Sequence, residues 1–272
     1  MKKALLVVPA LLTIAGLAAC SSVTSTLDTV LEKKTIVVGT EAGYAPFEYY
    51  DSTSGAIAGF DVEVVELVVD QIGEKHNVEI SVEWQDMNFD SLLLAVNANQ
   101  VDLVAAAMTI TDERAEQVVF SNGYYDTQTV VVTLASNTTI TSMDTLKTAI
   151  CGAQLGTVQA DYIGADGWNS LNSQHLLADV SDLVLQLSTG AIDALVVEDA
   201  VATALIANYT ALSLKTVTGI DFDDAASYGL AASKDAGSSL ISEINEALAN
   251  IGEEKLAEVY MECLEASAGA AA

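Results

Sequence analysis

The sequence predicts an α/β protein, and three observations carry that expectation. Short β-branched runs alternate with segments whose apolar residues recur at helical spacing, the pattern of a largely parallel sheet covered by helices. Hydrophobic residues make up 51% of the 272 and only two are proline, so the bulk of the chain can build a core and is not disordered. No repeat of solenoid length is visible, and roughly 235 residues of structured sequence suit two lobes better than one core.

The elements follow in order. Lys2 and Lys3 precede an apolar run over residues 4–19, then Cys20, Ser21 and Ser22. That order reads as an export signal, and the run falls short of the ~20 apolar residues a membrane span needs. Leu17, Ala18, Ala19 and Cys20 resemble the bacterial lipoprotein box. The resemblance implies a signal peptide over residues 1–19, removed to leave Cys20 lipidated, and a tether over residues 20–34 rich in Ser and Thr. The alternative is a signal cut elsewhere, with Cys20 incidental.

Residues 35–40 form a predicted strand. Over 60–75, Val64, Val65, Val68, Val69 and Ile72 fall on one helical face, with Asp61 placed to cap the N-terminus. Residues 78–84 alternate as a strand, 90–98 are helical and 101–107 form a buried strand, completing a β-α-β-α-β unit. A strand at 129–134 opens a second round. It continues through apolar 149–155, helices at 157–163 and 181–188, a strand at 193–197 and a helix from about 199 to 207. The chain returns through 228–232 and ends in helices near 239–251 and 254–264, with a small polar tail over 265–272 expected to be disordered.

Composition excludes several function classes. Without residues 1–19, 8 basic residues face 38 acidic ones, a net charge of −30. So acidic a surface argues against nucleic acid as a partner and against adsorption on anionic lipid, leaving the lipid at Cys20 as the expected membrane attachment. Cys151 and Cys263 have no second cysteine nearby, and His76 and His175 are the only histidines, so no zinc spacing exists and no metal or cofactor is expected. A disulfide between the two cysteines is permitted outside the cytoplasm, but two buried, unpaired thiols fit equally well.

The densest chemical signal runs from Ala106 through Ala107, Met108, Thr109 and Thr111 to Asp112, Glu113 and Arg114, with Phe120, Ser121, Asn122, Gly123, Tyr124 and Tyr125 following. A strand ending at Ala107 allows Arg114 to turn back to the carboxyl edge of the sheet, where ligands of open α/β sheets bind. A guanidinium there offers a planar fork to a carboxylate. Here the chain resembles the polar amino-acid-binding proteins of bacterial importers, the family that includes the glutamine-binding and lysine/arginine/ornithine-binding proteins.

The resemblance extends from about Thr35 to Tyr260 through segments in the same order. Gly39, Thr40, Glu41, Ala42, Gly43, Tyr44, Ala45, Pro46, Phe47 and Glu48 are similar to the segment where an acid and an aromatic face the ligand side chain, with Glu41 in place of the usual Asp. Gly59, Phe60 and Asp61 match the start of the first helix, and Phe89 with Asp90 the segment that sets a ring against the ligand. Gly156, Thr157, Val158 and Gln159 match the glycine turn whose amides and hydroxyl meet the ligand carboxylate, Val158 through its backbone alone. The stretch from Asp193 to Ala200 resembles the segment whose acid takes the ammonium group, here Glu198, with Asp199 as the second choice.

The resemblance implies a two-lobed periplasmic-binding-protein-like fold of type II, with two mixed sheets flanked by helices. Lobe 1 would comprise residues 35–126 and 228–264, lobe 2 residues 127–227, joined by hinge strands near 125–128 and 225–228. It further implies a monomer that closes on a free polar or basic amino acid, hands it to the membrane subunits of an ABC importer and catalyses nothing. A dry site for a zwitterion must supply a cation for the carboxylate and an anion for the ammonium. Arg114, Thr109 and Thr157 would supply the first, and Glu198 with the Ala107 carbonyl the second. Glu41, Tyr44 and Phe89 would hold the side chain, and Gln154 could serve an amide or hydroxyl. Each of these residues has a bland alternative, as a solvated acid, a core aromatic or a surface arginine. Cyclohexadienyl dehydratases and some murein lytic transglycosylases use similar lobes, so an enzyme stays open beside a periplasmic sensor. No Ser-His, Cys-His or metal constellation supports the enzyme.

Overall fold

The computed structural model describes residues 25–268 and contains two five-stranded sheets. In the first, strands are ordered Ser81–Asp86, Thr35–Thr40, Leu103–Val104, Ala231–Ser233, Val118–Phe120. The first three run parallel, and Ala231–Ser233 is antiparallel to both its neighbours. In the second, Leu176–Leu177, Cys151–Gln154 and Ala194–Glu198 are parallel, followed by Thr129–Leu134 and Leu214–Thr216 in antiparallel pairing. Both sheets are therefore mixed.

Inner strands such as Ala194–Glu198 are buried on both faces, which is why they read as apolar runs, whereas the edge strand Ser81–Asp86 is largely exposed. Ile36, Val38, Leu103 and Ala105 face one core, while Val104 and Ala106 face another on the far side of the same sheet. Helix Phe60–His76 covers the first face with Val64, Val65, Val68, Val69 and Ile72, each a side chain whose burial contributes about 1.5–3 kcal/mol. Helix Leu92–Asn97 covers the second. In the other lobe Leu195 and Val197 meet Leu183, Leu187 and Val201, whereas Ala194 and Val196 meet Leu146, Ala160 and Ile163.

Asp61 does not cap helix Phe60–His76. Gly59 occupies the cap position, and Asp61 points inward, fully buried. Residues 26–34 are not tether either. Helix Thr26–Lys33 is capped by Ser25, buries Leu27 and Val30, and packs on Thr35–Thr40 and the C-terminal helix. That helix, Ser238–Ala266, is continuous except at Gly252, whose φ of 77° breaks it where a gap between two helices was expected. It extends into the expected disordered tail, with Ser267 buried and bonded to Asn208. Cys151 and Cys263 are both buried and unpaired, one in each lobe.

Two short strands connect the lobes, Tyr125–Thr127 and Ala226–Tyr228, paired antiparallel with Tyr228 opposite Tyr125. Their aromatic rings stack at 5.6 Å, and Phe47 stands edge-on to both. Among the described residues no helix is long and apolar enough to cross a membrane.

Candidate functional site

The carboxyl ends of four strands, two from each sheet, face one another across the cleft. Glu41 follows Thr35–Thr40, Thr109 and Arg114 follow Leu103–Val104, Gln154 ends Cys151–Gln154, and Glu198 ends Ala194–Glu198. Open α/β sheets place ligands at such ends.

Arg114 is the only arginine in the chain and 9% exposed. Thr111 caps the short helix Asp112–Ala115 by accepting from the Arg114 amide, which sets the direction of the side chain. Nη1 donates to the Thr109 carbonyl at 2.7 Å and Nη2 to the Gly156 carbonyl of the other lobe at 3.0 Å. The guanidinium lies 5.2 Å from the centre of the Phe89 ring, a cation–π contact. Burial lowers its pKa and Glu198 across the cleft raises it, and a guanidinium stays charged through such a shift.

Two further contacts span the lobes. The Tyr44 hydroxyl donates to Glu198, and Gln154 Nε2 donates to Glu41 Oε2 at 3.0 Å while also holding the Ala178 carbonyl at 2.8 Å. Burial raises the Glu198 pKa, opposed first by the Tyr44 bond and also by Arg114. Glu41 is pushed up to about 7 by burial, with Asp179 and Asp86 adding to it and the Gln154 bond opposing. Glu41, Asp86 and Asp179 line a cleft of about 640 Å³ together with Tyr49, Tyr50 and Tyr209. A second cavity, of about 160 Å³, lies among Thr109, Val158, Gln159, Glu198 and Asp224.

Gly156 must be glycine on two counts. Its φ is 82°, and a Cβ would sit 3.0 Å from Asp90 Cβ and 3.2 Å from Asp90 Cα in the opposite lobe. The turn thereby brings the Gly156 carbonyl onto Arg114.

Three predicted residues sit differently from expectation. The Met108 side chain packs in the core with Leu92 and Val96, and its carbonyl accepts from Gly229 at 3.0 Å, so neither faces the cleft. The Thr157 hydroxyl is committed to capping helix Val158–Gly164, accepting from Ala160 N and donating to the Gln154 carbonyl. The Gln154 amide is committed to Glu41 and Ala178. Ala107 has a left-handed φ of 43° and donates its amide to Asp61 Oδ2 at 2.7 Å. Cys20 lies outside the described residues.

Sequence reasoning missed Asp86, Asp179 and Gln159. The two acids lie on separate segments and are ordinary among 38, so only the fold brings them to Glu41. Gln159 is 3% exposed, donates to Thr129 Oγ1 at 2.9 Å and lines the smaller cavity. It was named in the glycine-turn motif but given no role there. Among the described residues no group of three or more His, Cys, Asp or Glu could hold a metal ion.

The sequence profile of the bacterial extracellular solute-binding proteins, family 3, matches residues 36–264. The arginine-binding extracellular protein ArtP of Bacillus subtilis is 36% identical over 207 residues, 74% of this chain and 75% of its own. An arginine-bound amino acid ABC transporter substrate-binding protein, AbpA of Streptococcus pneumoniae, superposes with a TM-score of 0.77 over 89% of this chain and 99% of its own; at 24% identity it bears on fold alone. An ancestral arginine-binding protein bound to glutamine has a TM-score of 0.72 at 28% identity, covering 84% and 97%.

Proposed function

Because the chain belongs to family 3 of the bacterial extracellular solute-binding proteins, we propose that it is the extracytoplasmic receptor of an ABC amino-acid importer, anchored by a lipid on Cys20. Its ligand is a free L-amino acid with a basic side chain, arginine first. The observation that carries this reading is the division of opposite charges between the lobes: the sole arginine on lobe 1 and a buried Glu198 on lobe 2, at facing strand ends.

A zwitterion needs both in a site that excludes water, because an unpaired buried charge is prohibitive. Arg114 already spends one N–H on Thr109 and one on Gly156, which fixes its plane and leaves its other donors for a carboxylate. Glu198 and the Ala107 carbonyl take the ammonium. The side chain then runs along Tyr44 and Phe89 toward Glu41, where Asp86 and Asp179 add negative potential that suits a guanidinium or ammonium. The relatives named for arginine support that direction. Since each lobe supplies half the partners, ligand stabilises the closed arrangement, with Tyr125–Thr127 and Ala226–Tyr228 as the hinge. The protein works as a monomer and performs no chemistry on the ligand.

Calorimetric titration against the twenty amino acids tests the reading. Arg114→Ala should cost about 2–5 kcal/mol, at least a thirtyfold loss of affinity, with circular dichroism unchanged. A panel in which nothing saturates, or an Arg114→Ala variant that binds as wild type, would overturn it.

A further inference from the structure

Beneath the cleft lies a second charged feature, with no role in the scheme above. Glu48 and Asp61 are 1% and 0% exposed. Glycine at position 59 brings them together: its φ is 133°, and a Cβ there would stand 2.2 Å from the Phe47 carbonyl oxygen. The entry to helix Phe60–His76 is thereby pressed onto the strand Glu48–Tyr50, with Phe60 N bonded to the Pro46 carbonyl and Asp61 N to the Phe47 carbonyl, each at 3.0 Å.

The two carboxyls are within hydrogen-bonding reach of each other. Among the described residues neither Glu48 oxygen nor Asp61 Oδ1 has a donor of its own. Asp61 Oδ2, by contrast, accepts from the Ala107 amide and the Tyr124 hydroxyl, both at 2.7 Å. Two acceptors in contact are satisfied only by a proton between them.

The groups facing the pair reinforce that conclusion. Glu41, Glu198, Tyr44 and Tyr124 bear on Glu48, and Tyr124, Tyr228 and Cys263 bear on Asp61; each is an acid, a phenol or a thiol. Burial holds the Glu48 carboxyl well above the usual carboxylate range, with Asp61, Glu41 and Glu198 adding to it. Burial also pushes Asp61 up to about 7, opposed by its bonds from Ala107, Tyr124 and Glu48. A Glu48 hydroxyl donating to Asp61 Oδ1 therefore satisfies that oxygen and one oxygen of Glu48, and leaves the pair with one negative charge, placed in the first turn of a helix.

The residue Asp61 holds is Ala107, the only alanine with a left-handed φ among the described residues. A non-glycine residue in that region persists only where its surroundings impose it.

We propose that Glu48 and Asp61 share a single proton and act as a positioning pair: through the Ala107 amide they fix the left-handed turn that aims the Ala107 carbonyl at the ligand's ammonium group. The proposal rests on the amino-acid reading of the cleft for its last step.

The test uses the whole chain purified in detergent, with free L-arginine as probe. Infrared spectra at pH 8 should show the C=O stretch of a protonated carboxylic acid in wild type and its loss in Glu48→Gln, whose amide donates to Asp61 without a titrating proton. Asp61→Asn should rescue the geometry from the other side, accepting from Ala107 while donating to Glu48. Both conservative variants should bind L-arginine within about threefold of wild type near pH 7. As pH rises into the alkaline range the ligand's own amino group titrates in all samples alike, so the ratio of wild-type to Glu48→Gln affinity is the diagnostic. It should fall about tenfold as the shared proton is lost. Asp61→Leu, folded by circular dichroism, should lose at least tenfold at every pH. Absence of the wild-type acid band, or superimposable pH profiles for wild type and Glu48→Gln, would overturn the pair. If wild type shows the band but binds no amino acid, the shared proton stands and the ligand-aiming step falls together with the amino-acid reading.

Discussion

Glu41 has its carboxyl raised to about 7 by burial and by two acidic neighbours, so near neutral pH it is poised between forms. A cationic ligand side chain favours the carboxylate, and the sign follows: binding expels the proton wherever Glu41 still carries it. Affinity for arginine should therefore rise as pH increases from about 6 to about 8, with proton release at pH 6 visible as a dependence of the calorimetric heat on buffer ionisation enthalpy. Glu41→Gln should abolish Glu41's share of that release and weaken arginine by about tenfold while sparing glutamine. That Arg114 follows one strand and Glu198 ends another was legible from the apolar runs before them, and the ligand contact each would make is part of the proposal. Asp61 was legible as a position but not as a role. An acid at the second residue of a helix reads as a cap, and only its inward rotation onto Ala107 and Tyr124 shows otherwise.

At the scale of elements, the glycine turn after Cys151–Gln154 is one of the places where the lobes touch. Gly156→Ala should strain a φ of 82° and push Asp90 away, lowering stability by about 1–2 kcal/mol and arginine affinity by more than that change alone implies. Differential scanning calorimetry with and without arginine separates the two effects. Strands with continuous β-branched content, such as Thr129–Leu134, and helices with a clear stripe, such as Phe60–His76, announced themselves in the sequence. The two- and three-residue strands Gly43–Tyr44, Glu48–Tyr50 and Ile57–Ala58, which pair with one another in sequence order, did not, because so short a run carries no period. Helix Met143–Thr148 was missed for a similar reason: its signal is a capping box of Ser142 with Thr145 rather than an apolar stripe.

For the whole molecule, Glu41, Glu48 and Asp61 all have carboxyl pKa values raised by folding. Such groups bind protons more tightly when folded, so the stability they contribute is complete below the unfolded carboxylate range and is lost as pH rises through their folded values. The melting temperature should fall between about pH 5 and pH 8, and Glu48→Gln should flatten that slope. The chain's net charge of −28 adds self-repulsion in the same direction, so moderate salt should raise the melting temperature at pH 8.

The docked helix Thr26–Lys33 begins six positions after Cys20 in the sequence. Fully stretched, such a length of chain spans about 20 Å, comparable to the radius of a protein of this size. With the lipid proposed for Cys20 in place, the receptor would be a short-leashed ball that pivots about lobe 1 and stays at the membrane face. Under that proposal its encounter with the importer would become a search in two dimensions at high effective concentration, in which even weak docking contacts would suffice for delivery.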